Sequence, residues 1–309
     1  MIKFKQILIL ILLCHAMSMA WASDGAMKAL VIAGQDDHHW WKGSSDAVKQ
    51  ILKNSGKFTV TVLSVPNGDN IENYHPDFDK YDLVILLYGG KTWQPDTQKK
   101  FEKYIAGGHG LIVLHSSVVP MQDWPEYNKM IGLGAWNGRD EKWGPYVYWK
   151  DGHIVYDFRP GEAGHHSLQH PFIVMNKDTM HPIMRGLPLE WLHYKDEVYS
   201  KLRGPAINMH ILATTFDSLS LGGSGREEPV LWTVNYGKGR VFVSLLGHVG
   251  NDPELRYAMT YTDFQVLLLR ACEWVVKGEV TQMVAEDFPG KDFFSLRTGF
   301  KPPVQIINK

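Results

Sequence analysis

The stretches YDLVILLYGG at 81–90 and GLIVLHSS at 110–117 decide how this chain folds. In both, nearly every residue is apolar until the run stops, at Gly89-Gly90 in the first and at His115-Ser116-Ser117 in the second. Apolar runs without alternation mark strands that are covered on both faces, as in a parallel sheet. Between them, Pro95 to Ala106 puts Phe101, Tyr104 and Ile105 on one helical face, and Gly107-Gly108 ends the helix. Strand, helix, strand in this rhythm predicts a parallel sheet with helices on both faces.

Working outward, Met27 to Gly34 is a first buried strand, and Phe58 to Val65 alternates as a second strand. The helix between them, about Ser44 to Asn54, carries Val48, Ile51 and Leu52 at helical spacing and is closed by Gly56. The rhythm returns late in the chain, with strands at Ile211 to Phe216, Pro229 to Tyr236 and Arg240 to Leu246. The Gly237-Lys238-Gly239 turn predicts that the last two pair antiparallel. A final helix, about Asp263 to Val276, buries Phe264, Leu267, Leu268, Ala271 and Trp274. From Pro120 to about Asn208 the rhythm is lost among Trp, His, Gly and Pro, so residues 120–208 read as an insertion with a functional purpose. The expected layout is a leader over 1–22, one α/β domain over 23–280 and a tail over 281–309.

Lys3 and Lys5, the apolar run Ile7 to Leu13 and Ala20-Trp21-Ala22 form the three parts of a secretory signal peptide. The run falls well short of the ~20 residues that span a bilayer, so export to the periplasm or beyond is expected, without stable membrane insertion. Cys14 would leave with the leader, and Cys272 would have no internal partner. With 32 Lys+Arg against 33 Asp+Glu there is no basic field, which argues against a nucleic-acid partner.

Ligands of open parallel sheets sit beyond the carboxyl ends of the strands. Here those ends are polar: Gln35 to Trp41 (including His38, His39 and Trp40), His115-Ser116-Ser117, and Gly247-His248. Histidines delivered by three separate strand ends imply a shared cleft. The insertion adds His166 and the adjacent carboxylates Asp196 and Glu197. In extended backbone only one of two neighbours can face the cleft. A carboxylate beside histidines suits proton transfer near neutral pH.

GLIVLHSS at 110–117, HPIMRGLP at 181–188, KDEVYSKLRGP at 195–205 and EEPVLWTVNYGKGRVFVSLLGHVG at 227–250 together resemble the ThuA-like proteins. AGQDDHHWW near the start and DFQVLLLRACEWVVKG near the end fit the same pattern, so the resemblance covers roughly 27–278. It implies a flavodoxin-like fold of the class I glutamine amidotransferase type, and a place in disaccharide breakdown through 3-keto-sugars. The amidotransferase nucleophile is a cysteine on the turn where this chain has His115-Ser116-Ser117, which excludes glutamine hydrolysis by a cysteine triad.

The first functional expectation is therefore an enzyme acting on a small carbohydrate, a glycoside or keto-sugar, with His115, Glu197 and His248 catalytic. His38, His39, Trp40, Ser116, His166, Asp196 and Arg226 would bind substrate. The same His115, His248 and Glu197 could instead hold a divalent metal such as zinc. Ser116 as a hydrolase nucleophile lacks the GxSxG elbow. A sugar-binding module without turnover is the remaining reading, and the density of titratable groups at strand ends speaks against it. The glycine-rich loop Gly222 to Arg226 precedes a strand and lacks a lysine-serine pair, so it is not a phosphate loop.

Overall fold

Four apolar segments line up as predicted: β1 (Met27–Gly34), β2 (Phe58–Val65), β3 (Leu83–Tyr88) and β4 (Gly110–Leu114) run parallel in the order β2-β1-β3-β4. The computed structural model describes residues 25–35, 41–65, 71–249 and 257–300. The expected signal peptide and His38, His39 and Trp40 lie outside the described residues.

Along each strand, alternate residues enter one of two cores. Ala29, Val31, Ile85, Leu87, Ile112 and Leu114 face one side, where they meet Val48, Ile51 and Leu52 of α1 (Trp41–Asn54). Leu30, Ile32, Val84, Leu86, Leu111 and Val113 face the other, against Phe101, Tyr104 and Ile105 of α2 (Pro95–Ala106). Burial on both faces is why these strands read as unbroken apolar runs. α1 begins about a turn earlier than its sequence suggests, at Trp41.

The insertion is more regular than its composition implied. It contains α3 (Pro125–Ile131), the hairpin β5 (Tyr146–Lys150) and β6 (His153–Asp157), the short β7 (His165–His166), and β8 (His170–Asn176), β9 (Glu190–Asp196) and β10 (Tyr199–Ser200). β11 (Met209–Asp217), β12 (Arg226–Tyr236) and β13 (Gly239–Ser244) follow. The sheet continues past β4 as β13-β12-β11-β8-β9; β13 is parallel to β4, and every later pairing is antiparallel. The expected antiparallel pair is thus one step in an antiparallel half to which the insertion supplies β8 and β9. β7 and β10 form a separate two-stranded ribbon.

After α4 (Tyr257–Thr260), α5 (Thr262–Lys277) lies on the same face as α1, burying Phe264, Leu267, Leu268, Ala271, Cys272 and Trp274. Its Arg270, 3 % exposed, donates to the carbonyls of Pro182, Ile183, Arg185 and Gln282 at 2.5–2.9 Å. One guanidinium thereby ties α5 to the turn after β8 and to the C-terminal segment. That segment packs on β9: Leu192 N donates to Gly290 O at 2.8 Å and Phe288 sits edge-on to Trp191. Burial pushes the Cys272 thiol far up, so it is an inert core residue.

Gly34 closes β1 with φ +128°, and a Cβ there would lie 1.9 Å from the Val65 carbonyl oxygen. Gly56 also has positive φ, +71°, but no atom lies within 4 Å of where its Cβ would be. Gly56→Ala should therefore cost only the left-handed penalty, about 1 kcal/mol. Gly34→Ala should cost at least about 3 kcal/mol, because the β1–β2 pair must also part. Denaturant unfolding of the two variants checks this; equal losses would show that the steric clash at Gly34 is absorbed elsewhere.

Candidate functional site

β4 ends at Leu114, and the chain turns at once into a short 3-10 segment, His115–Val118. His115 sits at φ +42°, in the left-handed region, and is 3 % exposed. Its Nδ1 lies 2.6 Å from the Leu245 carbonyl, just past the end of β13. A carbonyl can only accept, so Nδ1 carries the proton and a neutral His115 presents the Nε2 lone pair. That nitrogen is 3.8 Å from Oε2 of Glu197.

His248 follows Gly247 beyond the end of β13, the strand parallel to β4. Its Nε2 is 3.7 Å from the same Glu197 oxygen, and its ring centroid is 5.0 Å from that of His115. Its Nδ1 faces the amide nitrogen of Gln169 at 2.9 Å. An amide nitrogen donates, so Nδ1 accepts and a neutral His248 carries its proton on Nε2. With the Gln169 amide in this orientation, the two rings meet Glu197 in opposite tautomers. The other carboxylate oxygen, Oε1, is 3.3 Å from Nδ1 of His166 in β7, whose side chain is half exposed.

Beneath this cluster is a buried chain of charge. Asp196, 1 % exposed, accepts from Gly247 N (2.8 Å), His248 N (3.2 Å) and Glu197 N (2.7 Å). Its Oδ2 also meets Nε2 of His193 at 2.9 Å. Nδ1 of His193 is 2.6 Å from Oδ2 of Asp263, which accepts from Trp191 Nε1 at 2.9 Å as well. Burial alone would push His193 down, but the carboxylates on either side outweigh it and hold it at about 10. Burial would likewise raise Asp196, and the His193 imidazolium outweighs it, holding Asp196 at about 2. The centre is an Asp–His–Asp relay with an imidazolium in the middle.

Of the residues singled out by sequence, the structure brings His115, Glu197, His248 and His166 together. Ser116 lines a small pocket on one side of His115, with Trp41, Ser44, Leu87, Gly247 and Val249. Asp196 occupies a different place from the sugar contact read in the sequence: it is buried and its acceptor positions are filled by protein. Arg226 also stands apart, stacked over Tyr148 at 4.5 Å and 3.8 Å from Asp157, against the β5–β6 hairpin. His193, Asp263, Gln169 and Tyr199 escaped the sequence reading. His193 and Trp191 alternate along β9, a pattern that places both on one buried face.

Ligand atoms of His115, Glu197 and His248 all lie within 4.8 Å of one another. Among the described residues, no helix is long and apolar enough to cross a membrane.

The chain matches the family model described as ThuA, trehalose utilisation, over residues 28–275. A ThuA-like protein from Parabacteroides merdae superposes with a TM-score of 0.86 at 43 % identity, over 90 % of this chain and 100 % of that one. A second ThuA-like protein, from Bacteroides uniformis, has a TM-score of 0.50 at 17 % identity, over 82 % and 94 % of the two chains. The curated proteins gave no match.

Because His193 holds its proton more tightly when folded, its contribution is complete below its ordinary value of about 6.5 and fades as pH rises through about 10. His193→Gln should cost roughly 3–5 kcal/mol at pH 6, by leaving two buried carboxylates without their cation. That gap should narrow steadily between pH 7 and pH 10.5 in thermal unfolding. A gap that stays constant with pH would mean that His193 is neutral in the native state.

Proposed function

The chain belongs to the ThuA, trehalose-utilisation family, and from that premise we propose that it breaks down a glycoside or 3-keto-glycoside by proton transfer at His115, Glu197 and His248. The observation that carries this is the shared carboxylate oxygen, 3.8 Å from one Nε2 and 3.7 Å from the other, with the two rings in opposite tautomers. One nitrogen is ready to take a proton and the other to give one, which is the pairing that general acid–base catalysis requires.

A carbonyl at C3 of a sugar ring makes the hydrogen on C2 acidic. Nε2 of His115 removes that proton, the electron pair forms the C1–C2 double bond, and the C1–O bond to the aglycone breaks. The leaving oxygen takes the proton from Nε2 of His248, which regains one from the His115 imidazolium by way of the Glu197 oxygen that both rings face, so that no imidazolate is left. Glu197 stabilises the imidazolium formed on His115 and, through His166, keeps an edge toward solvent. Asp196 holds the Gly247–His248 peptide so that the proton-bearing ring stays in place. The leader expected over residues 1–22 would put this chemistry outside the cytoplasm.

The 4.8 Å grouping favours one second reading, a divalent metal such as zinc on His115, Glu197 and His248. Zinc at ~2.1 Å from each ligand sets them about 3.4 Å apart, so the two carboxylate–histidine separations of 3.7–3.8 Å need a small closure, with all three ligand atoms now within 4.8 Å. The Leu245 carbonyl on Nδ1 of His115 is the orienting bond that metal-binding histidines use. His248 fits less well: its Nε2 becomes a ligand only if Gln169 turns its amide oxygen toward Nδ1. When bound, the ion would polarise a sugar oxygen and lower the pKa of a coordinated water.

Glu197→Gln and His115→Ala should each lower kcat/KM on 3-keto-trehalose by about 10²–10⁴-fold, with the fold retained by circular dichroism. Under the acid–base reading, wild-type rates are the same with and without chelator. Loss of rate on chelation, restored by zinc, would transfer the function to the metal reading. Full activity in both variants would end both readings.

A further inference from the structure

The side chains around Glu197 close into a circuit. The ring of His115 is 4.4 Å from that of Tyr199 in β10, and Tyr199 is 4.7 Å from Trp136, edge to face at 85°. Trp136 lies 6.1 Å from His166, and His166 Nδ1 is 3.3 Å from Glu197, which returns to His115. Trp136 has no place in the proton chemistry, yet it completes this ring around the carboxylate.

Its backbone is unusual. Trp136 and Asn137 have φ of +49° and +52°. A bulky side chain in the left-handed region is an outlier that persists only where its surroundings over-determine it. Here a buried guanidinium does so. Arg139, 1 % exposed, donates to the carbonyls of Val119 (2.6 Å), Pro120 (2.9 Å) and Ala135 (2.8 Å) and to Oδ1 of Asn128 (3.1 Å). Trp136 N bonds the Ala163 carbonyl at 3.0 Å, and Asn137 Nδ2 bonds that of Val119 at 3.1 Å. Gly164, at φ +95°, lies so close that a Cβ would fall 2.6 Å from Cδ2 of the indole. Trp136 packs against the core yet remains partly open, whereas Trp124, Trp191 and Trp232 are at most 2 % exposed.

We propose that Trp136 is the platform on which a pyranose ring lies while Glu197 and the two histidines act on it, which makes it a specificity-determining residue. This rests on the carbohydrate reading above and adds the part of the sugar that is recognised. The C–H groups on one face of a pyranose are weakly positive and apolar, and they complement the negative face of an indole. A ring seated there lies against Tyr199 and His166, and those are the side chains that touch His115 and Glu197. The platform sets KM and the choice of sugar, and leaves the proton transfers to others.

The experiment measures KM and kcat on trehalose and 3-keto-trehalose for wild type, Trp136→Ala, Trp136→Phe and Gly164→Ala, with Glu197→Gln as the inactive control. Trp136→Ala should raise KM about tenfold while kcat changes by less than about threefold. Trp136→Phe should keep most of the affinity, and Gly164→Ala, which displaces the indole without deleting it, should raise KM like the alanine variant. Sugar titrated into Glu197→Gln should quench tryptophan fluorescence, and Glu197→Gln with Trp136→Phe should lose that quench. Should Trp136→Ala not fold, the phenylalanine variant and the fluorescence titration decide. Unchanged KM in Trp136→Ala and Gly164→Ala, with Glu197→Gln inactive, would overturn the platform and leave the catalytic reading standing. A wild type that neither binds nor turns over either sugar would remove the carbohydrate reading, and the platform with it.

Discussion

One buried carboxylate, that of Asp196, joins the two halves of this molecule at the candidate site. It sits at the end of β9, the far edge of the antiparallel half, yet it accepts the backbone amides of Gly247 and His248, which follow β13 in the centre of the sheet. It also accepts the amide of its neighbour Glu197. Without it, Glu197 and His248 would belong to separate loops with no reason to share an oxygen. A carboxylate this deep is tolerable only because the His193 imidazolium lies against it, itself balanced by Asp263 at the start of α5. Three elements distant in sequence are thus fixed relative to one another by charge in a dry interior, where such interactions are strongest and least forgiving.

The same arrangement explains which parts of the structure could be read from the sequence. β1, β3 and β4 are covered on both faces, so their residues are apolar throughout and their ends are marked by glycine or a polar turn. The insertion carries edge and hairpin strands instead. In β5, Tyr-Val-Tyr-Trp-Lys, only Val147 is buried, and β7 and β10 are two residues each. Strands so short and mixed have no periodicity to detect, and their pairing is decided by partners far away in the chain.

At the site, the legible residues are those that stand directly after a parallel strand, His115 and Ser116, and those after β13, Gly247 and His248. Their position follows from the topology of an open sheet alone. Glu197 and Asp196 are adjacent and chemically alike, and alternation assigns them to opposite sides without saying which is which. The fold makes that choice with an irregularity: Lys195 has φ +29° and the β8–β9 register shifts there, so Asp196 instead of Lys195 joins Trp191 and His193 on the buried side, and Glu197 turns toward the histidines. Asp263 carries no distinguishing mark in the sequence, since an acidic residue in the first turn of a helix is ordinary for helical reasons. Arg139 and Arg270 are similarly silent, because cages of backbone carbonyls have no motif.

The division of labour between shells also bears on what the centre can do. His115 is fixed by a carbonyl, which has a single role, so its tautomer is set by the fold. His248 is fixed by Gln169, whose amide can present either a donor or an acceptor by turning over. With the nitrogen inward, His248 brings a proton to Glu197 and the pair is an acid and a base. With the oxygen inward, both Nε2 atoms present lone pairs to one point, and the same three residues become a metal site. The choice between the two proposed readings therefore lies with one neutral side chain, the Gln169 amide behind His248.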